Sequence, residues 1–126
     1  MTENEIGTIV VDTSIQLHRD FGPGLLESVY EIVLSRLLEK EGLCVQRQVG
    51  IPIFYDGEKF EEGFRADIII GKKVILEIKS VQKLHPVFKK QLLTYLKLTG
   101  MKLGYILNFG EELMKTGIER VVNGYL

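Results

Sequence analysis

The chain has 126 residues and a mass of 14.3 kDa, with 45% apolar and 26% charged side chains and a formal charge of −1. This is the size and balance of one globular domain, which excludes disordered, collagenous and coiled-coil proteins. No apolar run approaches the roughly 20 residues of a membrane-spanning helix, and the single cysteine, Cys44, leaves no internal disulfide or cysteine-rich metal centre.

Ile6, Val10, Thr13 and Leu17 recur at helical spacing and predict a helix over residues 4–20, broken by Phe21-Gly22-Pro23-Gly24. Leu26, Val29, Val33 and Leu37 predict a second helix from about 24 to 41, capped by Gly42. Strands are expected at about 43–49 and 51–55. Asp56-Gly57 then signals a hairpin into a strand that runs to Ile70. Gly71-Lys72-Lys73 reads as a short turn into a strand over Val74–Val81. Pro86 opens a helix that stops at Gly100. A short apolar strand starts near Leu103, a short helix lies near 111–116, and a last strand near 118–122. The order is α-α-β-β-β-β-α-β-α-β: a mixed central sheet flanked by helices, in a single domain spanning residues 1–126. Cys44 reads as a small buried hydrophobe of a strand, His18 as a packing or capping residue, and His85 as a loop residue.

The neutral total hides an uneven distribution. Residues 1–64 hold five Lys/Arg and twelve Asp/Glu, whereas residues 65–102 hold nine Lys/Arg and only two acids, Asp67 and Glu77. A basic segment of this kind suits a phosphate-binding surface, and Arg65, Lys72, Lys73, Lys83, Lys89 and Lys90 are its candidate nucleic-acid contacts. The alternative is a solvated lysine face.

If Gly71-Lys72-Lys73 is a three-residue loop, Ile70 faces Val74 and Asp67 faces Glu77. Opposed like charges are destabilising. Lys79, two residues beyond Glu77, projects from the same face, while Ile68, Ile70, Leu76 and Ile78 point the other way. A divalent cation would resolve the repulsion, since Mg²⁺ is commonly held by one or two carboxylates with water and phosphate. Lys79 could then orient a water or neutralise charge at a phosphate. A cross-strand salt bridge from Lys79 to one acid is the blander reading of the same residues. The acidic start Met-Thr-Glu-Asn-Glu lacks an apolar signal core, so a cytoplasmic protein without a membrane role is the expectation.

Arg65-Ala66-Asp67 followed by Leu76-Glu77-Ile78-Lys79 resembles the Asp…(Glu)-x-Lys signature of the PD-(D/E)XK nuclease superfamily, with Ala66 where the signature has proline. Gly24-Leu25-Leu26-Glu27-Ser28-Val29-Tyr30 resembles the motif that names the GxxExxY family, a branch of that superfamily. Further landmarks are Gln48-Val49, Pro86, Gln91, Tyr95 and Leu107-Asn108-Phe109-Gly110. The resemblance implies an α/β (α+β) restriction-endonuclease-like core and a metal-dependent nuclease acting on nucleic acid, DNA before RNA, with weak sequence specificity. It implies Mg²⁺ or Mn²⁺ held by Asp67, Glu77 and the backbone carbonyl of Ile78, with Glu27 joining directly or through water. Lys79 would be the catalytic lysine, and Glu27, Gln91 and Tyr95 would line the site. Phe88 departs from the polar residue, often His, expected near that position. The limited surface of so small a chain leaves room for a homodimer. The alternative is a non-catalytic nucleic-acid-binding or protein-interaction module that retains the fold.

Overall fold

The computed structural model describes residues 1–126 apart from the side chain of Glu62. Helices α1 (Glu3–Phe21) and α2 (Glu27–Lys40) precede strands β1 (Val45–Tyr55), β2 (Glu58–Ile70) and β3 (Val74–Lys79). Helix α3 (Pro86–Thr99) crosses to β4 (Leu103–Asn108), and a short α4 (Met114–Gly117) leads into β5 (Ile118–Val122). The five strands lie in sequence order in one mixed sheet. Only β3 and β4 run parallel, as the α3 crossover requires.

Strand alternation divides the core into two layers. Ile68, Ile70, Leu76 and Ile78 pack with Ile6, Val10 and Leu17 of α1 and Tyr30, Leu34 and Leu38 of α2. Ala66, Ile69, Ile75 and Ile106 pack with Leu92 and Leu96 of α3. From Asp67 onward in β2, and along β3, the odd positions face the α3 layer, which sets where Asp67, Glu77 and Lys79 emerge.

The segments 43–49 and 51–55 form one strand, not two. Pro52 lies where the β1–β2 register shifts between Ile51 and Ile53, so the irregularity absorbs a residue that cannot donate to the ladder. Cys44 precedes this strand and is exposed, not buried. Helix α2 starts at Glu27 and α4 at Met114, each later than its sequence suggests, and β3 ends at Lys79. No helix among the described residues is long and apolar enough to cross a membrane.

Candidate active site

The turn Gly71-Lys72-Lys73 pairs Ile70 with Val74, and the register continues to Ile68 opposite Leu76. Gly71 and Lys72 take left-handed φ values of 58° and 56° to make it. One step further, Asp67 stands opposite Glu77 and the regular ladder stops. The Asp67 amide donates to Glu77 Oε2 at 3.1 Å, and the Ile78 amide donates to Asp67 Oδ2 at 2.8 Å. Each carboxylate therefore caps the backbone of the facing strand. Beyond this point β2 pairs only with β1, and β3 only with β4.

Burial pushes the Glu77 carboxyl up to about 8, and the Asp67 carboxylate beside it adds to the shift. Two adjacent charges in a poorly solvated cleft are costly, so the metal-free pair keeps a proton near neutral pH. Tyr95 is raised as well, by burial first and then by Glu77 and Asp67, so its hydroxyl remains a donor. The Tyr95 ring stacks on Phe64 with centroids 3.6 Å apart. Lys79 makes no salt bridge; among the described residues the ion pairs are Arg47–Glu31 and Lys59–Glu61. Its Nζ sits 4.3 Å from the centroid of the Phe88 ring. The departure at position 88 thus supplies a cation–π partner that holds the lysine without neutralising it.

A cavity of about 150 Å³ is walled by Asp67, Glu77 and Lys79, by Phe88, Gln91 and Tyr95 of α3, and by Arg65 and Glu27. The structure brings together Glu27, Asp67, Glu77, Lys79, Gln91 and Tyr95 from four separate elements. Ile78 is buried beside them with its amide on Asp67. Glu27 Oε2 accepts from the Ser80 amide at 3.1 Å. No three His, Cys, Asp or Glu side chains among the described residues gather as a metal cage. The donor set is two carboxylates with Glu27 on the cavity wall, which fits a hard cation that keeps its remaining ligands as water and phosphate.

Two braces set this geometry. The Tyr30 hydroxyl donates to the Gly22 carbonyl at 2.5 Å and accepts from the Leu25 amide at 3.2 Å, while its ring stacks on Phe109. This pins the loop ahead of Glu27, where Gly24 has φ 108°. Tyr30 is thus a fully buried strut whose hydroxyl is bonded to the loop. Buried Asn108 accepts from the amides of Val81 and Gly110 and donates to the Val81 carbonyl at 2.9 Å. It fixes the chain just after Lys79, which explains why Ser80 and Val81 leave the sheet. Asn108→Ala should destabilise the protein by on the order of 3 kcal/mol in urea unfolding, because three buried backbone groups lose their partner. Asn108→Asp, which keeps the acceptor, should cost less.

The cluster of Glu31, Arg47 and Gln48 carries no signal that sequence reasoning used, apart from Gln48 standing among the landmarks. Glu31 is buried on α2. Its carboxylate accepts from Arg47 Nε and Nη2 at 3.1 and 2.8 Å and from Gln48 Nε2 at 2.7 Å. These residues line a larger groove of about 730 Å³ that shares Glu27 and Asp67 with the small cavity.

The basic segment divides. Arg65 lines the cavity, its Nη1 donating to the Gln48 carbonyl at 3.1 Å. Lys72 and Lys73 sit at the hairpin tip, past the Ile70–Val74 pair, which lies three residues and so roughly 10 Å along the strand from Asp67, and Lys73 bonds to the Met1 carbonyl. Lys89 and Lys90 project from α3 into a different groove beside β5. These four lysines do not reach the cavity rim, because the hairpin carries two of them to its far end and the helix turns the other two to its outer side. Lys83 is exposed in the loop between β3 and α3. His18 ties α1 to the Glu111 carbonyl at 2.8 Å, and His85 caps α3 by accepting from the Val87 amide.

The sequence matches the family model of the PD-(D/E)XK nuclease superfamily over residues 4–121. No curated protein sequence matches it.

Proposed function

Because the chain belongs to the PD-(D/E)XK nuclease superfamily, we propose that it hydrolyses phosphodiester bonds with the help of Mg²⁺ or Mn²⁺, on DNA before RNA and with weak sequence specificity. The observation that carries this reading is the opposed pair Asp67 and Glu77 at the point where the strands part, with Lys79 unpaired beside them. Asp67, Glu77 and the Ile78 carbonyl would hold the ion, and Glu27 would reach it through water. When bound, such an ion supplies positive charge for the phosphate oxygens and lowers the pKa of a water molecule.

The chain's own residues do the rest. Lys79, steadied over Phe88, orients the attacking water and offsets negative charge that builds on the phosphate. Water oxygen bonds to phosphorus, one P–O ester bond breaks, and the leaving oxygen ends protonated. Gln91 and the protonated Tyr95 offer donors from one face of α3, and Arg65 supports the backbone. The contacts assigned here reach phosphate and carry no sequence information, which favours weak specificity.

Incubating the protein with labelled single-stranded, duplex and branched DNA and with RNA, in Mg²⁺, Mn²⁺ or EDTA, tests the reading. Metal-dependent cleavage is expected, together with a melting temperature raised by millimolar metal. Binding to the folded state alone stabilises by about 2.7 kcal/mol at a hundred times the dissociation constant. An unmoved melting temperature and no cut substrate would overturn the proposal in favour of a binding module.

A further inference from the structure

Gln48 is a non-glycine residue with φ 52° inside a strand. It lies between the pairs Arg47–Ile68 and Val49–Ala66, directly across from Asp67. Consecutive residues of a regular strand project to opposite faces. Here the left-handed turn sends both Arg47 and Gln48 onto the same Glu31 carboxylate. The same turn aims the Gln48 carbonyl at Arg65. One backbone distortion therefore sets two arginines, Arg47 in the larger groove and Arg65 in the small cavity, with Asp67 forming part of both walls. A left-handed non-glycine is strained and persists where the surroundings enforce it, often at functional sites.

Arg47 spends Nε and Nη2 on Glu31, while Nη1 has no partner among the described residues and the side chain is 40% exposed. A guanidinium fixed along one edge and open along the other is suited to a phosphate. The two cavities meet at Glu27 and Asp67, so the carboxylate pair stands in the middle of a path, not at a closed end.

We infer that the nucleic-acid strand crosses this site, with Arg47 and Arg65 taking the phosphates on either side of the one that is cut, and that Gln48 is the positioning residue for both arginines. The inference rests on the nuclease reading and goes beyond it: the enzyme cuts internal bonds and needs no free end. It gives the cluster on α2 and β1 a role that burial alone does not explain, since a surface strand residue has no packing reason to adopt φ 52°.

Closed circular DNA, single-stranded and duplex, set against linear DNA of the same sequence, tests this directly. Cutting of circles and linear substrate at comparable rates is expected. Cutting of linear DNA alone overturns the crossing strand and leaves the nuclease reading intact. No cutting of either overturns both.

The arginine assignment has its own readout. DNA binding is measured against salt in an Asp67→Asn background, so that little is cut. Arg47→Gln should lower the salt slope by about 1, the share of one phosphate contact. Because Arg47→Gln strands a buried carboxylate, the double variant E31Q/R47Q is run beside it and should give the same slope. Gln48→Val, whose β-branched side chain disfavours the left-handed backbone, turns the carbonyl away from Arg65 and the strand away from Glu31. It should raise KM about tenfold, the scale of one contact of about 1.4 kcal/mol, with the metal-induced rise in melting temperature unchanged. Unaltered salt slopes in folded E31Q/R47Q, or a folded Gln48→Val protein with wild-type KM, would overturn the assignment.

Discussion

Asp67→Asn and Lys79→Ala should each cut the cleavage rate by about a hundred- to a thousandfold, the scale of losing a principal electrostatic contact in a reaction site. They should differ in what else they lose. Asn can still accept from the Ile78 amide, the bond that Asp67 Oδ2 makes at 2.8 Å, so the strand junction survives. The substitution removes one charge from a crowded pair, so the metal-free protein should be as stable as wild type or more so, while stabilisation by Mg²⁺ disappears. Lys79 is no metal ligand, and its loss should leave the Mg²⁺-induced rise in melting temperature in place. The metal-free Lys79→Ala protein should lose some stability, since the lysine offsets the neighbouring carboxylates and rests on Phe88. Thermal unfolding with and without Mg²⁺, beside a cleavage assay, separates the two cases. If Asp67→Asn kept its metal response, Asp67 would not be a ligand.

The register that brings Asp67 to Glu77 was legible in the sequence because a three-residue turn and a period-2 apolar pattern leave few choices. A slip of one residue would turn Ile68, Ile70, Leu76 and Ile78 out of the layer they share with α1 and α2. The convergence of Glu27, Gln91 and Tyr95 came from resemblance, since pattern fixes a residue's face but not which helix end meets which strand end. Charge counting did not reveal that Lys72, Lys73, Lys89 and Lys90 stand away from the small cavity. A run of cations in sequence is scattered once a hairpin and a helix pass through it, and the helix period sends Lys89 and Lys90 away from the side that carries Phe88, Gln91 and Tyr95. Two strands were expected where one exists because Gly50 and Pro52 look like a break, and only the partner strand shows that the irregularity is absorbed. The Glu31–Arg47–Gln48 cluster was illegible for a sharper reason. Alternation places Arg47 and Gln48 on opposite faces, and only a left-handed backbone at Gln48, which no local residue preference demands, sets them on one carboxylate.

In the absence of metal, the protein should lose stability steadily as pH rises from about 5 to 8. Folded Glu77 keeps its proton to about 8, whereas an unfolded glutamate titrates near 4.3. Between those values the folded state binds the extra proton, so raising the pH favours unfolding. The contribution is complete below the unfolded pKa and gone once the pH passes through the folded one. Its size is on the order of a few kcal/mol, enough to dominate the profile of a small domain. Burial is the larger cause and Asp67 the second, which orders the variants. Glu77→Gln should flatten the profile, and Asp67→Asn should flatten it only in part, because the desolvation of Glu77 remains. Metal acts in the opposite sense. Binding requires the Glu77 proton to leave, so Mg²⁺ affinity should climb with pH and level off above about 8. Urea unfolding in EDTA at intervals from pH 5 to 8, for wild type and both variants, measures the first effect. Subtracting the Glu77→Gln curve removes every other titrating group. Wild-type and Glu77→Gln curves that run parallel across this range would show that the opposed carboxylates carry no strain for a cation to relieve, and the electrostatic case for a metal at Asp67 and Glu77 would fall with it.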